Sequence, residues 1–537
     1  MTVQSISWAP LAPVLVLVGG LVLVLLADLV LPLPGRRSVL PGVSALACLG
    51  AAGSAAWLGQ SEATRGTFCS APGSATGSAQ DSRCSYVLGE TAVFLTVVLC
   101  LAAAAVLVLA LAQLRADVEG VTPAGEYCLV LLSATIGAVI VAGSRDLITL
   151  VVGLETLTVP MYAAVAFRRG STAGTEAALT FLVVSVTSTA LMLLGIGFLY
   201  GLTGTMHLDG LAEALSTAGG VGDLAVSDLA VVLLLAGLAF KVAAVPFHVW
   251  APSTYQGAPI PVAAYLSSVS KAGGIAGLIA VLPAVSAGSP IAMTWIALLA
   301  AVSMTVGNLV AMRQRHLVRL LAWSGIAQTG YLLVGLSVLS GRSDQAESGA
   351  GATLAYLAIY LLMTVGAFAC IAAIGPTARS ADPAGQGGSL GEGPSIEALR
   401  GLAGAHPRIA AALALFLIGL AGLPPALLGL FGKVVVVRAA FTGDAGWLGI
   451  FVALNTVIAF VYYLRVAGML FTRTGVISEV GISSAIEARP AQSASTASVS
   501  SATGVLVAAL AVLAIVAGFW PDLIIGAAPL LAPFGAG

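Results

Sequence analysis

Apolar runs of about 20 residues recur along the whole chain, each closed by a polar, Gly/Pro-rich or charged break. The pattern predicts about 14 membrane-spanning segments, near 11–31, 39–59, 88–114, 126–143, 147–167, 177–200, 228–250, 260–282, 291–311, 318–340, 350–374, 407–437, 446–472 and 501–519. In two of these runs prolines stand close to a lysine: Pro246 in the seventh, and Pro424 and Pro425 in the twelfth. Proline removes a backbone donor and breaks or kinks a helix. A helix broken inside a membrane leaves backbone groups and half-helix ends facing a cavity, an arrangement typical of ion sites. No stretch between the spans is long enough for a soluble domain, so the chain is expected to be an all-α polytopic membrane protein.

Composition supports this reading. Of 537 residues, 59% are hydrophobic and only 8% charged, where globular chains carry about 25% charged residues. No stretch has the basic pattern of a nucleic-acid binder, and the net charge of −1 points to no partner. The start, MTVQSISWAP, lacks a charged n-region and a small-residue cleavage site, so the first run reads as a retained helix. Arginines such as Arg36, Arg37, Arg115, Arg168, Arg169, Arg313, Arg315, Arg319, Arg400 and Arg408 fall in one alternate set of loops. The opposite set holds Arg65, Arg83, Arg145, Arg342 and Arg438. The positive-inside rule makes the first side cytoplasmic and, with an even number of spans, puts both termini outside.

Three loops stand out. Residues 60–87 are polar and predicted outside. Residues 375–406 are cytoplasmic and contain PSIEALRGLAG, read as a short amphipathic surface helix. Residues 474–500 are Ser/Ala-rich and read as a mobile cytoplasmic loop. Cys48, Cys100, Cys128 and Cys370 lie within spans as small core residues. Cys69 and Cys84 share the outer loop, an oxidising location, and are a candidate disulfide. No Cys/His spacing suggests a metal or iron–sulfur site.

The chain has three lysines, Lys241, Lys271 and Lys433, and all lie in apolar runs. A GC-rich genome accounts for their scarcity but not for their placement. A charge at mid-bilayer costs about 2.5–3.5 kcal/mol on insertion scales. Desolvation disfavours the charged form of an amine, so a lysine there can switch between charged and neutral. Arginine stays protonated. Glu155, within DLITLVVGLETL, needs a cation or a proton, and Lys241 is its natural partner. His248 follows Lys241 beyond Pro246 and is either a proton carrier or a hydrogen-bonded core histidine. Lys271, in the next span, is placed to link two halves, with Ser267, Ser268 and Ser270 beside it. Lys433 follows the second break. A second broken helix with its own lysine, each led by a similar segment (RDLITLVVGLETL and RHLVRLLAWSGIAQTGY), predicts two inverted five-helix repeats, spans 4–8 and 9–13. The expected divisions are 1–125, 126–285, 286–473 and 474–537.

These strings resemble the antiporter-like membrane subunits of proton-pumping NADH:quinone oxidoreductase, respiratory complex I. FKVAAVPFHVWAPSTYQGAP is the most specific, followed by VSKAGG, VRLLAWSGIAQTGY and GLPPALLGLFGK. The resemblance covers about residues 85–470 and is nearest to the family's N branch, on the YQGAP string and the lysine of the second broken helix. It implies that Glu155, Lys241, Lys271 and Lys433 form a proton relay assisted by His248. It also implies that the chain binds no cofactor. FMN, iron–sulfur clusters and quinone are expected in partner subunits. Partners would be neighbouring antiporter-like and small membrane-arm subunits in a bacterial plasma membrane. Relatives often carry a histidine where this chain has Gln328, which cannot titrate. The competing expectations are a subunit of a multi-component sodium/proton antiporter or related membrane-bound oxidoreductase, and a non-pumping membrane-arm scaffold.

Overall fold

The structure, a computed structural model, describes residues 6–60, 64–69, 83–116, 122–167, 171–217, 224–286, 289, 291–339, 343–380, 393–472 and 500–528. The predicted loop 474–500 falls almost wholly outside them. The first three spans are α1 (Ala12–Val30), α2 (Leu33–Gly59) and α3 (Glu90–Ala116). They are followed by α4 (Ala124–Gly143), α5 (Leu147–Ala166) and α6 (Thr172–Thr203). A short outer helix α7 (Leu208–Thr217) leads to the seventh span, which is split into α8 (Leu224–Lys241) and α9 (Trp250–Gly257). Then come α10 (Ile260–Ser286), α11 (Ile291–Ala311), α12 (Leu317–Leu336) and α13 (Ser348–Ile374). The twelfth span is also split, into α14 (Pro407–Ala421) and α15 (Leu427–Thr442), and α16 (Gly446–Phe471) and α17 (Ser501–Phe519) complete the bundle.

Among the described residues 12 helices are long and apolar enough to cross a membrane. The two broken spans bring the total to the 14 segments of the hydropathy pattern. The seventh runs further than hydropathy indicates. Residues 242–249 form the break, and WAPSTYQG is helical rather than connecting. PSIEALRGLAG is not one helix either. It is a turn at Glu397–Leu399 and a short helix at Leu402–Ala405, parted at Gly401, whose φ of 75° suits glycine.

The ends of the outer loop form two strands: β1 (Arg65–Cys69) and β2 (Cys84–Leu88) pair antiparallel, with Cys69 opposite Cys84. A disulfide joins those two cysteines. This hairpin ties down its surroundings. Arg145 N donates to Ser85 O at 2.9 Å, Ser7 N donates to Thr67 Oγ1 at 3.0 Å, and Arg83 pairs with Glu213 of α7 at 3.0 Å.

The repeats are visible in detail. Leu147 N, opening α5, donates to Met206 O, and Leu208 N returns a bond to Arg145 O. Leu317 N, opening α12, donates to Pro394 O, and Ile396 N returns a bond to Arg315 O. In each repeat the second helix is thus anchored to the segment leading into the broken span. The first anchor lies on the side assigned to the outside by arginine placement and the second on the opposite side, as inversion requires. The close packing also repeats. Gly137 and Gly307 each stand ten residues before the opening leucine. A Cβ at Gly137 would come within 2.3 Å of Leu157 N, and one at Gly307 within 2.5 Å of Ala327 N. Those backbone atoms are ten residues into α5 and α12.

α1 packs on α2 and α2 on α3, all three touch α4, and α3 also packs against α13. α17 closes over α13, α15 and α3. The two repeats meet through α10–α11, α8–α11 and α9–α12 contacts.

Two outcomes are expected. Gly137→Ala and Gly307→Ala each force backbone apart and lower the stability of the detergent-extracted protein by about 1–3 kcal/mol, read by thermal unfolding. Gly197→Ala, with nothing within 4 Å of the new Cβ, leaves it unchanged. Mass mapping without reductant recovers the Cys69 and Cys84 peptides joined, and two free thiols at these positions would remove the staple.

Candidate proton pathway

The site is built from the groups that the two breaks leave unpaired. In a helix the carbonyl of residue i accepts from the N–H of residue i+4. The residues four beyond Val242, Leu420 and Ala421 are Pro246, Pro424 and Pro425, none of which has an N–H. An unpaired carbonyl in a lipid-embedded bundle costs several kcal/mol, and all three find other donors. Val242 O accepts from Thr329 Oγ1 at 2.6 Å, Leu420 O from Gln328 Nε2 at 3.0 Å, and Ala421 O from Lys433 Nζ at 2.7 Å. Val245 N, past the first break, donates to Ser303 Oγ at 2.9 Å. Gly422 ends α14 at φ 76°, the left-handed conformation that glycine adopts without penalty.

Lys241 is the last residue of α8 and is 6% exposed. Its Nζ lies 3.0 Å from Glu155 Oε1 and 2.9 Å from Thr158 Oγ1. Glu155 is the ninth residue of α5, well inside the span, and also accepts from Thr189 Oγ1 of α6 at 2.8 Å. Its side chain is 28% exposed, whereas that of Lys241 is 5%. The pair therefore opens from the carboxylate side. Thr158 donates its own proton to Leu154 O at 2.6 Å, which leaves its lone pairs for the ammonium.

Lys271 follows directly on a π-helical turn, Leu266–Ser270, inside α10. Such turns are frequent at functional sites. Its Nζ donates to Gly325 O of α12 at 2.5 Å and sits 5.8 Å from the Tyr360 ring centroid. A side chain of the first repeat is thereby bound to a helix of the second. Ser267 and Ser268 both donate to Ala264 O, at 2.9 and 2.5 Å. Their hydroxyls serve the widened turn.

Lys433 lies in α15 and is 4% exposed. Besides Ala421 O it bonds Thr456 Oγ1 at 3.2 Å, and its Nζ stands 4.4 Å over the Tyr331 ring centroid, a cation–π distance. Thr456, like Thr158, gives its proton to its own helix, at Val452 O, 2.7 Å away. Neither Lys271 nor Lys433 has a carboxylate partner among the described residues.

Around Lys433 runs a buried polar network that sequence reasoning did not find. Tyr356 OH donates to Gln328 Oε1. Asn308 Nδ2 donates to Tyr331 OH at 3.1 Å and to Asn455 Oδ1 at 3.2 Å, and Tyr462 OH donates to Asn308 Oδ1 at 3.0 Å. His248 stands apart from the lysines. Its ring meets Trp323 edge-on at 5.2 Å, and none of its described contacts is to a lysine. Arg319 bonds Gln256 of α9 at 3.0 Å on the exposed surface. Among the described residues no cluster of three or more His, Cys, Asp or Glu could hold a metal ion.

The arrangement resembles known proteins throughout. The family model described as NADH:quinone oxidoreductase/Mrp antiporter, TM, matches residues 144–459, which hold Glu155 and all three lysines. NADH-quinone oxidoreductase subunit N of Salinispora tropica is 45% identical over 88% of this chain and 86% of its own. A chain of respiratory complex I from Thermus thermophilus superposes with TM-score 0.71 at 28% identity, covering 96% of this chain and 98% of that one. A chain of the Mrp complex from a Dietzia species has the same fold, with TM-score 0.74 at 20% identity over 97% of this chain and 96% of that one. With the family model matched over more than half its length and a subunit N so similar across most of both chains, this multi-pass membrane protein belongs to the NADH:quinone oxidoreductase/Mrp antiporter family, in its subunit N branch.

Proposed function

We propose that the chain carries protons through the membrane arm of NADH:quinone oxidoreductase, with Glu155, Lys241, Lys271 and Lys433 as the groups that hold and pass them. The carrying observation is the Glu155–Lys241 ion pair, 3.0 Å long inside the fifth and seventh spans. A proton that arrives on Glu155 removes the negative charge that holds the Lys241 ammonium. Lys241 then releases its proton toward Lys271, whose contact with Gly325 O leads into the second repeat. Lys433 is the last holder, bound by a carbonyl, a hydroxyl and an aromatic face, all neutral. Each transfer leaves a changed charge that acts on the next group, so the sites titrate as a coupled set. His248 has its ring against Trp323 rather than a lysine, so an assisting role for it requires intervening water.

The driving redox chemistry belongs to partner subunits, which hold the FMN, iron–sulfur clusters and quinone. A carboxylate 28% exposed within a span is expensive against lipid. That exposure supports a neighbouring membrane-arm subunit covering the α5–α6 face. The family's bacterial members and the arginine distribution support a plasma-membrane location with both termini outside.

Three outcomes follow. Lys241→Ala lowers both NADH-driven quinone reduction and proton uptake into inverted vesicles by about tenfold or more, the equivalent of losing one charge-assisted bond, while the assembled complex persists on a native gel. Unchanged oxidation and pumping would make Lys241 structural. Purification of the complex also separates this function from sodium/proton exchange, since quinone reductase activity accompanies the chain only in the first case. Lys433→Arg keeps the charge but cannot release a proton, so it abolishes pumping as fully as Lys433→Ala. An arginine variant that pumps normally would show that Lys433 supplies only fixed charge.

A further inference from the structure

Gln328 and Thr329 are neighbours on α12 and are 1% and 0% exposed. Each donates a hydrogen bond to a different broken span. Thr329 Oγ1 bonds Val242 O, the carbonyl deprived by Pro246 and the residue next to Lys241. Gln328 Nε2 bonds Leu420 O, the carbonyl deprived by Pro424 and the residue next to Ala421, which holds Lys433. The same threonine hydroxyl lies 3.2 Å from Gly325 O, the acceptor of Lys271. Two adjacent side chains thus stand against the backbone that follows Lys241, beside the carbonyl that anchors Lys271, and one peptide from the carbonyl that anchors Lys433.

Resting on the proton-carrying reading above, we infer that Gln328 and Thr329 are positioning residues that tie the two breaks into one unit, so that displacement of the Lys271 or Lys433 anchor is felt at the other and at the backbone that carries Lys241. The chemistry suits a tie rather than a relay. Gln328 uses its amide N–H on Leu420 O and its Oε1 on Tyr356 OH, and so is held at both ends. It has no proton to exchange near neutral pH. Thr329 has one hydroxyl proton and two carbonyls in reach, Val242 O at 2.6 Å and Gly325 O at 3.2 Å. Movement of the Lys271 ammonium away from Gly325 O would let that hydroxyl turn toward it and loosen Val242 O. Movement of Lys433 changes the load on Ala421 O, one peptide from the carbonyl that Gln328 holds.

A double-mutant cycle tests this in the assembled complex. Gln328→Met keeps the length of the side chain and removes its donor. Thr329→Val keeps the volume and removes the hydroxyl. Each single variant is expected to reduce NADH-driven proton uptake about tenfold, from one buried acceptor left unpaired. Thr329→Ser, which keeps the hydroxyl, stays within about twofold of the parent on the same scale. The double variant is expected to be no worse than the worse single, because one tie is broken only once. An additive loss of about a hundredfold, or singles that pump normally, would overturn the inference. The second readout is the pH profile of quinone reduction in Gln328→Met alone. The tie predicts a displaced profile, since the setting of Lys433 changes, and a rate scaled equally at every pH would overturn it even where the double variant does not assemble. Loss of pumping in Lys241→Ala together with additive α12 variants would sink this inference alone, whereas normal pumping in Lys241→Ala would remove the reading it rests on.

Discussion

Inside a lipid-embedded bundle a backbone carbonyl without a donor is a debt that the rest of the fold must meet. Three prolines create three such carbonyls at Val242, Leu420 and Ala421, and their donors are a threonine, a glutamine and a lysine. The setting of Lys433 follows from this constraint. Because Ala421 O has no N–H to serve it, an ammonium at that point satisfies a backbone group and is itself solvated in return. The breaks that would destabilise an ordinary helix are thus what permits Lys433 to be buried. The same logic puts Gln328 and Thr329 on the helix that passes between the two breaks.

The inverted repeats share their backbone more fully than their chemistry. The bonds around Leu147 and Leu317 match one for one, and the Gly137 and Gly307 contacts fall at equal spacing. Eight residues after those leucines, however, stand Glu155 in one repeat and Gly325 in the other, and eleven after them stand Thr158 and Gln328. Where the first repeat offers a carboxylate side chain to Lys241, the second offers the bare carbonyl of a glycine to Lys271. The fold was kept and the charge was not. The lysine that binds Gly325 comes from the other repeat, so the halves are joined at the point where the second lacks its own carboxylate.

Most of this architecture was legible in sequence for a specific reason. Hydropathy registers long apolar runs, and a lysine or glutamate inside one stands out against them, so Glu155, Lys241, Lys271 and Lys433 were visible without coordinates. Their neutral partners were not. Thr158, Thr329 and Thr456 are common in membrane helices, and the spacing of a threonine does not say whether its hydroxyl serves its own helix, a lysine or a carbonyl across the bundle. The prolines marked where donors would be missing, but only the packing of α12 shows who replaces them. His248 lies seven residues from Lys241 along the chain, a distance that says little once the helix is broken between them, and only the fold shows its ring against Trp323. PSIEALRGLAG looked like a single amphipathic helix because its side-chain pattern is helical, and the left-handed turn at Gly401 interrupts it. The hairpin at 65–88 gave no periodic signal in a loop rich in Gly and Ser, although its two cysteines did mark the crosslink.

The uneven distribution of carboxylates has a physical consequence. A carboxylate holds an ammonium by full charge, whereas a carbonyl, a hydroxyl or a ring face holds it by a dipole or quadrupole. Had Lys271 and Lys433 each a permanent anion beside them, loss of a proton would leave an uncompensated buried negative charge, which is strongly unfavourable. Against neutral partners the deprotonated amine leaves no such charge, so the holding groups fit both states of the lysine. Glu155 differs in its setting, because it is the more exposed member of its pair. In the proposed relay the carboxylate is therefore useful where a proton arrives and would be an obstacle further on. One switchable charge at the open end, with neutral holders for the sealed lysines beyond it, is the arrangement expected of a path that must be triggered from one side and then emptied.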